Sequence, residues 1–271
     1  MADDEKSLTN FAFDKLPTDV LVGIFKHARP VNAEDAYTEG FRFPVALTQV
    51  CQHWRKVALE APTLWANMHI MDYYTKQNKE AACVYVERSK ACPLFLTWFS
   101  THRHTRADVQ EVVRNLVIRY AERWQRIALI TDNAEAPGAL LAEMGPRCFP
   151  ILRDIEISCL PDQLPPSKLT LCRNAPLLRR CTFRNIHSLP PTPSNLVVFD
   201  YVAPTEPINL GSLLDFLPHV AHSLEHLRLG PSTPDISVVS RRSKVPLQNL
   251  KSLLVKDSHV IINSILAPNL T

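Results

Sequence analysis

The chain has 271 residues, 46% of them hydrophobic, and carries 30 Lys and Arg against 27 Asp and Glu for a formal net charge of +3. That length supplies one large domain or two smaller ones with enough apolar surface for a core without disulfides or a structural metal. So even a charge balance singles out neither nucleic acid nor an acidic lipid surface as partner, and the six glycines assemble no phosphate-cradling G-x-G-x-x-G or G-x-x-x-x-G-K-[ST] pattern.

Residues 1–11 read as a flexible N-terminus. Asp3, Asp4 and Glu5 stand where a secretory leader would be basic and then apolar, and no run of 18 apolar residues follows. Seven cysteines, an odd number with no C-x-x-C among them, suit a reducing compartment. The expectation is a soluble intracellular protein, cytoplasmic and/or nuclear. Leu16-Pro17-Thr18-Asp19 opens a short amphipathic helix in which Val20, Leu21, Ile24, Phe25 and Ala28 recur at helical spacing, with Thr18 or Asp19 as the expected cap. Arg29-Pro30 ends it, and 29–43 read as a polar loop. From Pro44 on, Leu47, Val50, Cys51, Trp54, Val57 and Ala58 predict one continuous helix with Gln49, Gln52, His53, Arg55 and Lys56 on its other face. Ala61-Pro62 stops it, and Thr63-Leu64-Trp65 adds two large apolar groups, more than so short a unit buries alone.

Taken together, the Leu-Pro start, the first helix, the Val50-Cys51-Gln52-His53-Trp54-Arg55 run and the Ala61-Pro62-Thr63-Leu64-Trp65 tail resemble an F-box over residues 12–67, in particular the F-box-like domains abundant in fungi. The resemblance implies a helical platform docking on a Skp-type adaptor and, through it, on a cullin-RING ubiquitin ligase. Carried over by position, the adaptor-binding residues are Leu16, Pro17, Val20, Leu21, Ile24, Trp54, Leu64 and Trp65. The competing expectation is that these side chains pack against the rest of the chain.

Beyond Trp65 the pattern alternates. Short strands are expected at 66–71 and 94–99, a helix at 78–89, and a further helix with Val109, Val112, Val113, Leu116, Val117 and Tyr120 on one face behind a Thr105-to-Asp108 capping box. An apolar-x-x-apolar-x-apolar frame then recurs at Trp124/Ile127/Leu129, Leu152/Ile155/Ile157, Leu178/Cys181/Phe183, Leu196/Phe199/Tyr201, Leu224/Leu227/Leu229 and Leu250/Leu253/Val255. Its first positions are 28, 26, 18, 28 and 26 residues apart. Residues 68–271 resemble an irregular leucine-rich-repeat solenoid. They depart from that pattern in having no asparagine eight residues after each first position, where Asp132, Leu160, Ile186, Pro204, Ser232 and Ser258 stand. Asn174-Ala175-Pro176-Leu177-Leu178 and Ala267-Pro268-Asn269-Leu270 show a recurring proline and asparagine ahead of the frame, the second placing a further repeat start at the end of the chain after a helix at 259–266. Either the solenoid is truncated at its C-terminus, or Leu270 is a frayed end. Outward positions between the apolar ones, Glu156, Ser158, Thr182, Arg184, Asp200, Arg228 and Lys256, form the expected client-binding ridge if the strands are in parallel register.

Little points to catalysis. His219, His222 and His226 have helical spacing, but Pro218 and the strand frame at Leu224 set them on different elements, and no carboxylate or cysteine completes a metal site. There is no G-x-S-x-G, papain-like cysteine signature or H-E-x-x-H. Cys51 and Cys181 lie on apolar faces and read as small buried hydrophobes. The basic clusters at 102–106, 179–184 and 241–244 lack the interleaved aromatics of a nucleic-acid site. The expected fold is therefore α/β: a small all-α F-box-like domain followed by an irregular leucine-rich-repeat-like α/β solenoid. The expected function is that of a non-enzymatic substrate receptor, without cofactor, metal, nucleic acid or membrane partner. It would join a Skp-type adaptor to a protein client; the alternative is a repeat scaffold with no ubiquitin role.

Overall fold

A computed structural model of the chain describes residues 16–29, 43–71, 75–100, 107–132, 135–159, 174–186, 189, 193, 195–202, 210–230, 244–256 and 259–270. The expected flexible N-terminus, most of the 29–43 loop and the Thr105-Arg106 part of the expected capping box lie outside them.

Three short helices come first: α1 (Thr18–His27), α2 (Phe43–Val50) and α3 (Gln52–Glu60). Neither Thr18 nor Asp19 caps α1. The cap position is Pro17, whose carbonyl accepts the Leu21 N–H at 3.0 Å with no side chain involved. Asp19 in the first turn and Lys26 and His27 in the last complement the helix dipole instead. The helix expected to run unbroken from Pro44 is two. Cys51 is extended (φ −155°, ψ 171°), and its thiol accepts the Trp54 N–H at 3.4 Å as the cap of α3. Arg55 Nε reaches back to the Thr48 carbonyl at 2.7 Å and ties the two helices across the break. A one-residue interruption keeps the apolar spacing almost intact, which is why periodicity alone reads through it. The Phe25 and Trp54 rings, edge to face at 4.8 Å, join α1 to α3.

A 3-10 turn, Pro62–Leu64, leads into β1 (Asn67–Met71), α4 (Thr75–Arg88), β2 (Leu94–Ser100), α5 (Ala107–Arg119), β3 (Trp124–Thr131), α6 (Glu135–Met144), β4 (Asp154–Cys159), β5 (Arg180–Arg184) and β6 (Val198–Val202). Then follow α7 (Leu210–Val220), β7 (His226–Leu229), β8 (Val245–Pro246), β9 (Ser252–Val255), α8 (His259–Ser264) and β10 (Ile265–Leu266). Each of the six frames ends in a strand. Pro218, expected to disturb a helix start, lies inside α7, and the helix expected at 259–266 stops at Ser264 before β10.

Among the described residues these strands build an eight-stranded sheet in the order β1-β2-β3-β4-β5-β6-β7-β9, every neighbouring pair parallel, with β8 and β10 a separate parallel pair. After the N-terminal helical unit, helices alternate with strands as far as β4, while β4, β5 and β6 follow one another with no helix among the described residues between them, so the molecule is mixed α/β, and the sheet does not close. The register explains the frame. Its second positions stand side by side, Ile127, Ile155, Cys181, Phe199, Leu227 and Leu253, and its third positions form the next row. Residues between them point to the opposite face. Trp65-x-x-Met68-x-Ile70 is an earlier instance of the same frame, leading into β1. Trp65 and Trp124, both at first positions, each donate the indole N–H to a carbonyl seven residues back, Ala58 at 2.8 Å and Val117 at 3.1 Å. Each thereby satisfies an otherwise orphaned carbonyl at a helix end.

A ladder of side-chain amides runs ahead of the frame. Asn195 donates to Pro176 O at 3.4 Å, Asn249 to His222 O at 2.7 Å and Asn269 to Gln248 O at 2.6 Å. In each case the residue before a first position bonds the carbonyl two residues ahead of the preceding one. Asn174 does the same work on Gly145 O at 2.7 Å, and Ser223 on Leu196 O at 2.8 Å. The recurring asparagine thus holds one repeat to the last, at a position ahead of the strand. After β5 the side chain of Asn185, in the left-handed region at φ 59°, bonds Cys159 O. Replacing Asn174 by alanine leaves the buried Gly145 carbonyl unsatisfied and is expected to cost about 1–3 kcal/mol in urea unfolding; an unchanged midpoint would mean that this rung carries no load. At the end of β7, Gly230 lies so close to Val202 that a Cβ would sit 2.7 Å from its Cγ1 and 3.0 Å from its Cα.

Candidate protein-docking surfaces

Helix α1 carries two apolar stripes. Leu21 and Phe25, four residues apart, are buried against the core, while Val20 and Ile24, displaced by one position, remain 45% and 42% exposed. Pro17 is exposed beside them and Leu16 is half-buried. A Cβ added at Gly23, between Val20 and Ile24 in sequence, would meet nothing within 4 Å, so the backbone of this turn is open to close approach. Val45, Val50 and Leu59 are further large apolar side chains left exposed on α2 and α3. Helix α1 thus satisfies the core with one apolar stripe and leaves the other partly exposed among the described residues.

The other residues marked by the F-box resemblance face inward. Leu21, Leu64 and Trp65 are fully buried, and Trp54 is half-buried on Phe25. Trp65 lies edge to face on Tyr85 of α4, with ring centroids 5.1 Å apart, and the Arg88 guanidinium sits 4.4 Å over its ring. Arg29, just beyond α1, donates to the Leu64 carbonyl at 2.8 Å. Burial raises the Tyr85 hydroxyl well above its ordinary pKa, against the opposing charges of Arg29 and Arg88. The eight residues therefore divide into an outward set (Pro17, Val20 and Ile24, with Leu16 at its margin) and an inward set that clamps the helices to the first βα unit. Periodicity finds both and cannot sort them, since the choice depends on how α1 packs on α3 and on α4 covering Trp65.

On the sheet, the expected client ridge shares one face. Glu156, Thr182, Asp200 and Arg228 occupy one register row across β4 to β7, and Ser158 and Arg184 pair in the next. Lys256 follows β9 and is exposed. Ion pairs cross the strands: Arg126 with Glu156 at 3.0 Å, Arg180 with Asp154 at 3.3 Å, and Lys251 with Glu225 at 2.7 Å. The Lys251 hydrogen bond holds the Glu225 carboxyl below its usual range. Asp200 is the most enclosed member. One carboxylate oxygen lies between Arg184 at 3.6 Å and Arg228 at 3.9 Å, and the other is buried without a hydrogen-bond partner. Neither arginine makes a close fork with it, so both keep donors for an external acceptor. Toward β1 the same face turns apolar and covered, with Ala128 and Met71 buried.

His69 on β1 stands in that covered region. Burial, with the positive charges of Arg29 and Arg126, pushes its pKa down to about 4, and its Nδ1 has no hydrogen-bond partner. Because the folded pKa lies below the unfolded one, the unfolded chain takes up the proton first as pH falls. Stability is expected to be flat above about pH 7 and to drop by up to about 3 kcal/mol between pH 6.5 and 4 through this residue. Urea midpoints at pH 7.5 and 5 should converge in His69→Leu; an equal acid loss in that variant would assign the loss elsewhere. Burial alone raises the Tyr201 hydroxyl to about 12 and the Cys159 thiol to about 11. Both are thus neutral at ordinary pH, and Tyr201 donates its proton to Ile186 O at 2.8 Å.

His219 lies in α7, His222 in the turn after it and His226 on β7. Among the described residues no group of three His, Cys, Asp or Glu side chains stands close enough to hold a metal ion. No described helix is long and apolar enough to cross a membrane.

Comparison with known families agrees with the geometry of the N-terminal unit. The F-box-like family model matches residues 13–71, from just before α1 through the end of β1. No curated protein matches the chain. F-box domains are protein-interaction modules that in general bind Skp-type adaptors, and the chain carries an F-box-like domain at residues 13–71.

Proposed function

We propose that this protein is the substrate-receptor subunit of a Skp-cullin-F-box ubiquitin ligase, working in the cytoplasm and/or nucleus. The exposed Pro17, Val20 and Ile24 stripe of α1 docks on a Skp-type adaptor, and the outward face of β4 to β7 presents a protein client. The chain performs no covalent chemistry. It acts by proximity, raising the effective concentration of client lysines near a ubiquitin-loaded enzyme held elsewhere in the complex. The observation that carries this reading is the second apolar stripe of α1, unpartnered within the described residues and lying inside the F-box-like match. The α/β region is read as an irregular leucine-rich-repeat-like solenoid, on the strength of its parallel strands taken in chain order and the amide rungs at Asn174, Asn195, Asn249 and Asn269.

Calorimetric titration of the full chain with a purified Skp-type adaptor tests the proposal. One-to-one binding is the expected result, and its absence with a well-folded chain would overturn it. A second reading has its own observation: Leu64 and Trp65 are spent inside the molecule, as they would be if the helices served only to cap the sheet. In that scaffold the titration is silent and the sheet face still binds its partners.

A further inference from the structure

The outward face of the sheet is uneven in charge. On β4 both acids are engaged, Asp154 by Arg180 and Glu156 by Arg126. From β5 to β9 the outward positions, with Lys256 just after β9, carry Arg180, Arg184, Arg228 and Lys256 against one acid, Asp200. Arg184 and Arg228 share that carboxylate at 3.6 Å and 3.9 Å, and among the described residues neither they nor Lys256 have another carboxylate within ion-pair distance. Asp200 is also withdrawn, its side chain 13% exposed against 46% and 51% for the two arginines. A partner therefore meets a patch with positive charge in excess, its single acid lying beneath its cations.

The patch has a shape as well. Arg184, Val202, Gly230 and Lys256 follow one another across β5, β6 and the ends of β7 and β9. Val202 is half-buried and Gly230 has no side chain, so a low floor lies between two exposed cations. In the neighbouring row Arg228 stands beside Leu254, which is also exposed. At about 4.8 Å per strand spacing the three steps from Arg184 to Lys256 cover about 14 Å, the length of about four residues of extended chain. Residues i, i+2 and i+4 of such a chain project to one side.

We infer that this patch receives an extended acidic segment of a protein, with carboxylates at i, i+2 and i+4 meeting Arg184, Arg228 and Lys256 and apolar atoms resting on Val202, Gly230 and Leu254. The inference rests on reading the outward face as the client surface, and it names the class of client that surface takes. Charge complementarity selects the acid, because every carboxylate on β4 to β9 already faces a cation, and incoming acid groups meet positive charge that nothing on these strands balances. Arg184 and Arg228 each touch Asp200 at long range only and keep N–H donors for a second carboxylate.

The test is fluorescence anisotropy on the full chain with labelled twelve-residue peptides that carry Glu, Gln or Lys at the i, i+2 and i+4 places and no other charge. Saturable one-to-one binding is expected for the Glu peptide, at least tenfold weaker binding for the Gln peptide, and none for the Lys peptide. Arg228→Gln with Lys256→Gln should weaken the Glu peptide at least tenfold with the thermal transition retained. Lys26→Gln with Arg114→Gln, which removes the same charge from α1 and α5, should leave it unchanged. Asp200→Asn frees both arginines and should tighten the Glu peptide at least threefold, a gain that loss of structure does not produce. Absence of saturable Glu-peptide binding, or equal weakening by the two double variants, would overturn the assignment. Equal affinity for the Glu and Gln peptides, reduced for both by Leu254→Ser, would overturn the acid preference and leave the face as a client surface. Glu-peptide binding indifferent to Arg228, Lys256, Asp200 and Leu254 alike would overturn both readings.

Discussion

Trp65→Ala is expected to cost about 3–5 kcal/mol of folding stability, the range for truncating a fully buried large aromatic. The side chain is wholly enclosed, donates its indole N–H to Ala58 O, meets Tyr85 edge to face and carries Arg88 over its ring. The last turn of α3 loses its carbonyl partner at the same time. At roughly 2–4 °C per kcal/mol for a chain of this size, the thermal transition should fall by about 6–20 °C. Trp65→Phe keeps an aromatic ring against Tyr85 and drops the hydrogen bond, so it should fall between the parent and Trp65→Ala, as read in parallel urea and thermal unfolding. A Trp65→Ala loss under about 1 kcal/mol would show that the helical unit and the sheet are not clamped at this residue.

The second large effect is on binding and leaves stability alone. Val20→Glu with Ile24→Glu places two charges on the exposed stripe of α1, where neither native side chain contributes to the core. Affinity for a Skp-type adaptor should drop more than about 100-fold. Removing two apolar side chains from the interface and desolvating two carboxylates there together exceed about 2.8 kcal/mol, at about 1.4 kcal/mol per decade. The melting temperature should move by no more than about 2 °C, as for a surface change of a few tenths of a kcal/mol. Leu21→Glu makes the contrast, because that change strikes the buried stripe one residue away and should unfold the unit. If the double variant binds as the parent does, the outward stripe is not the docking surface.

These two outcomes separate what the sequence disclosed from what it withheld. The strands were legible because a parallel strand packed on one face needs apolar residues at fixed alternate places, and the frame at Leu152, Leu178, Leu196, Leu224 and Leu250 states that need directly. The F-box resemblance was legible for a similar reason, being a combination of bulky residues at spacings that few other short helical units share. What stayed hidden depends on packing between distant parts of the chain. Leu21 and Val20 are neighbours of like chemistry, and the position of α3 decides which is core. Trp65 looked as exposed as any other residue of its motif until α4 supplied Tyr85 and Arg88. The break at Cys51 went unseen because a thiol is an uncommon helix cap and one inserted residue hardly disturbs the apolar spacing.

The recurring asparagine ahead of the frame was legible at Asn174 and Asn269, but its work as a rung was not. The sequence holds asparagine just before the first position of the frame at Asn195, Asn249 and Asn269, while a regular repeat would carry it eight residues after. Their amides still bond one repeat to the one before it, so the same physical requirement, a donor for the turn carbonyls of the preceding repeat, is met from a different site.

The central claim is that this chain meets its adaptor through the outward face of the F-box-like helices and keeps the sheet free. Hydrogen–deuterium exchange of the full chain, alone and with a saturating Skp-type adaptor, tests it most directly, because every backbone amide reports at once. Slowed exchange confined to α1 to α3, with β4 to β9 unchanged, is the predicted result. Protection on the sheet face with none on α1, or no protection anywhere, would contradict it.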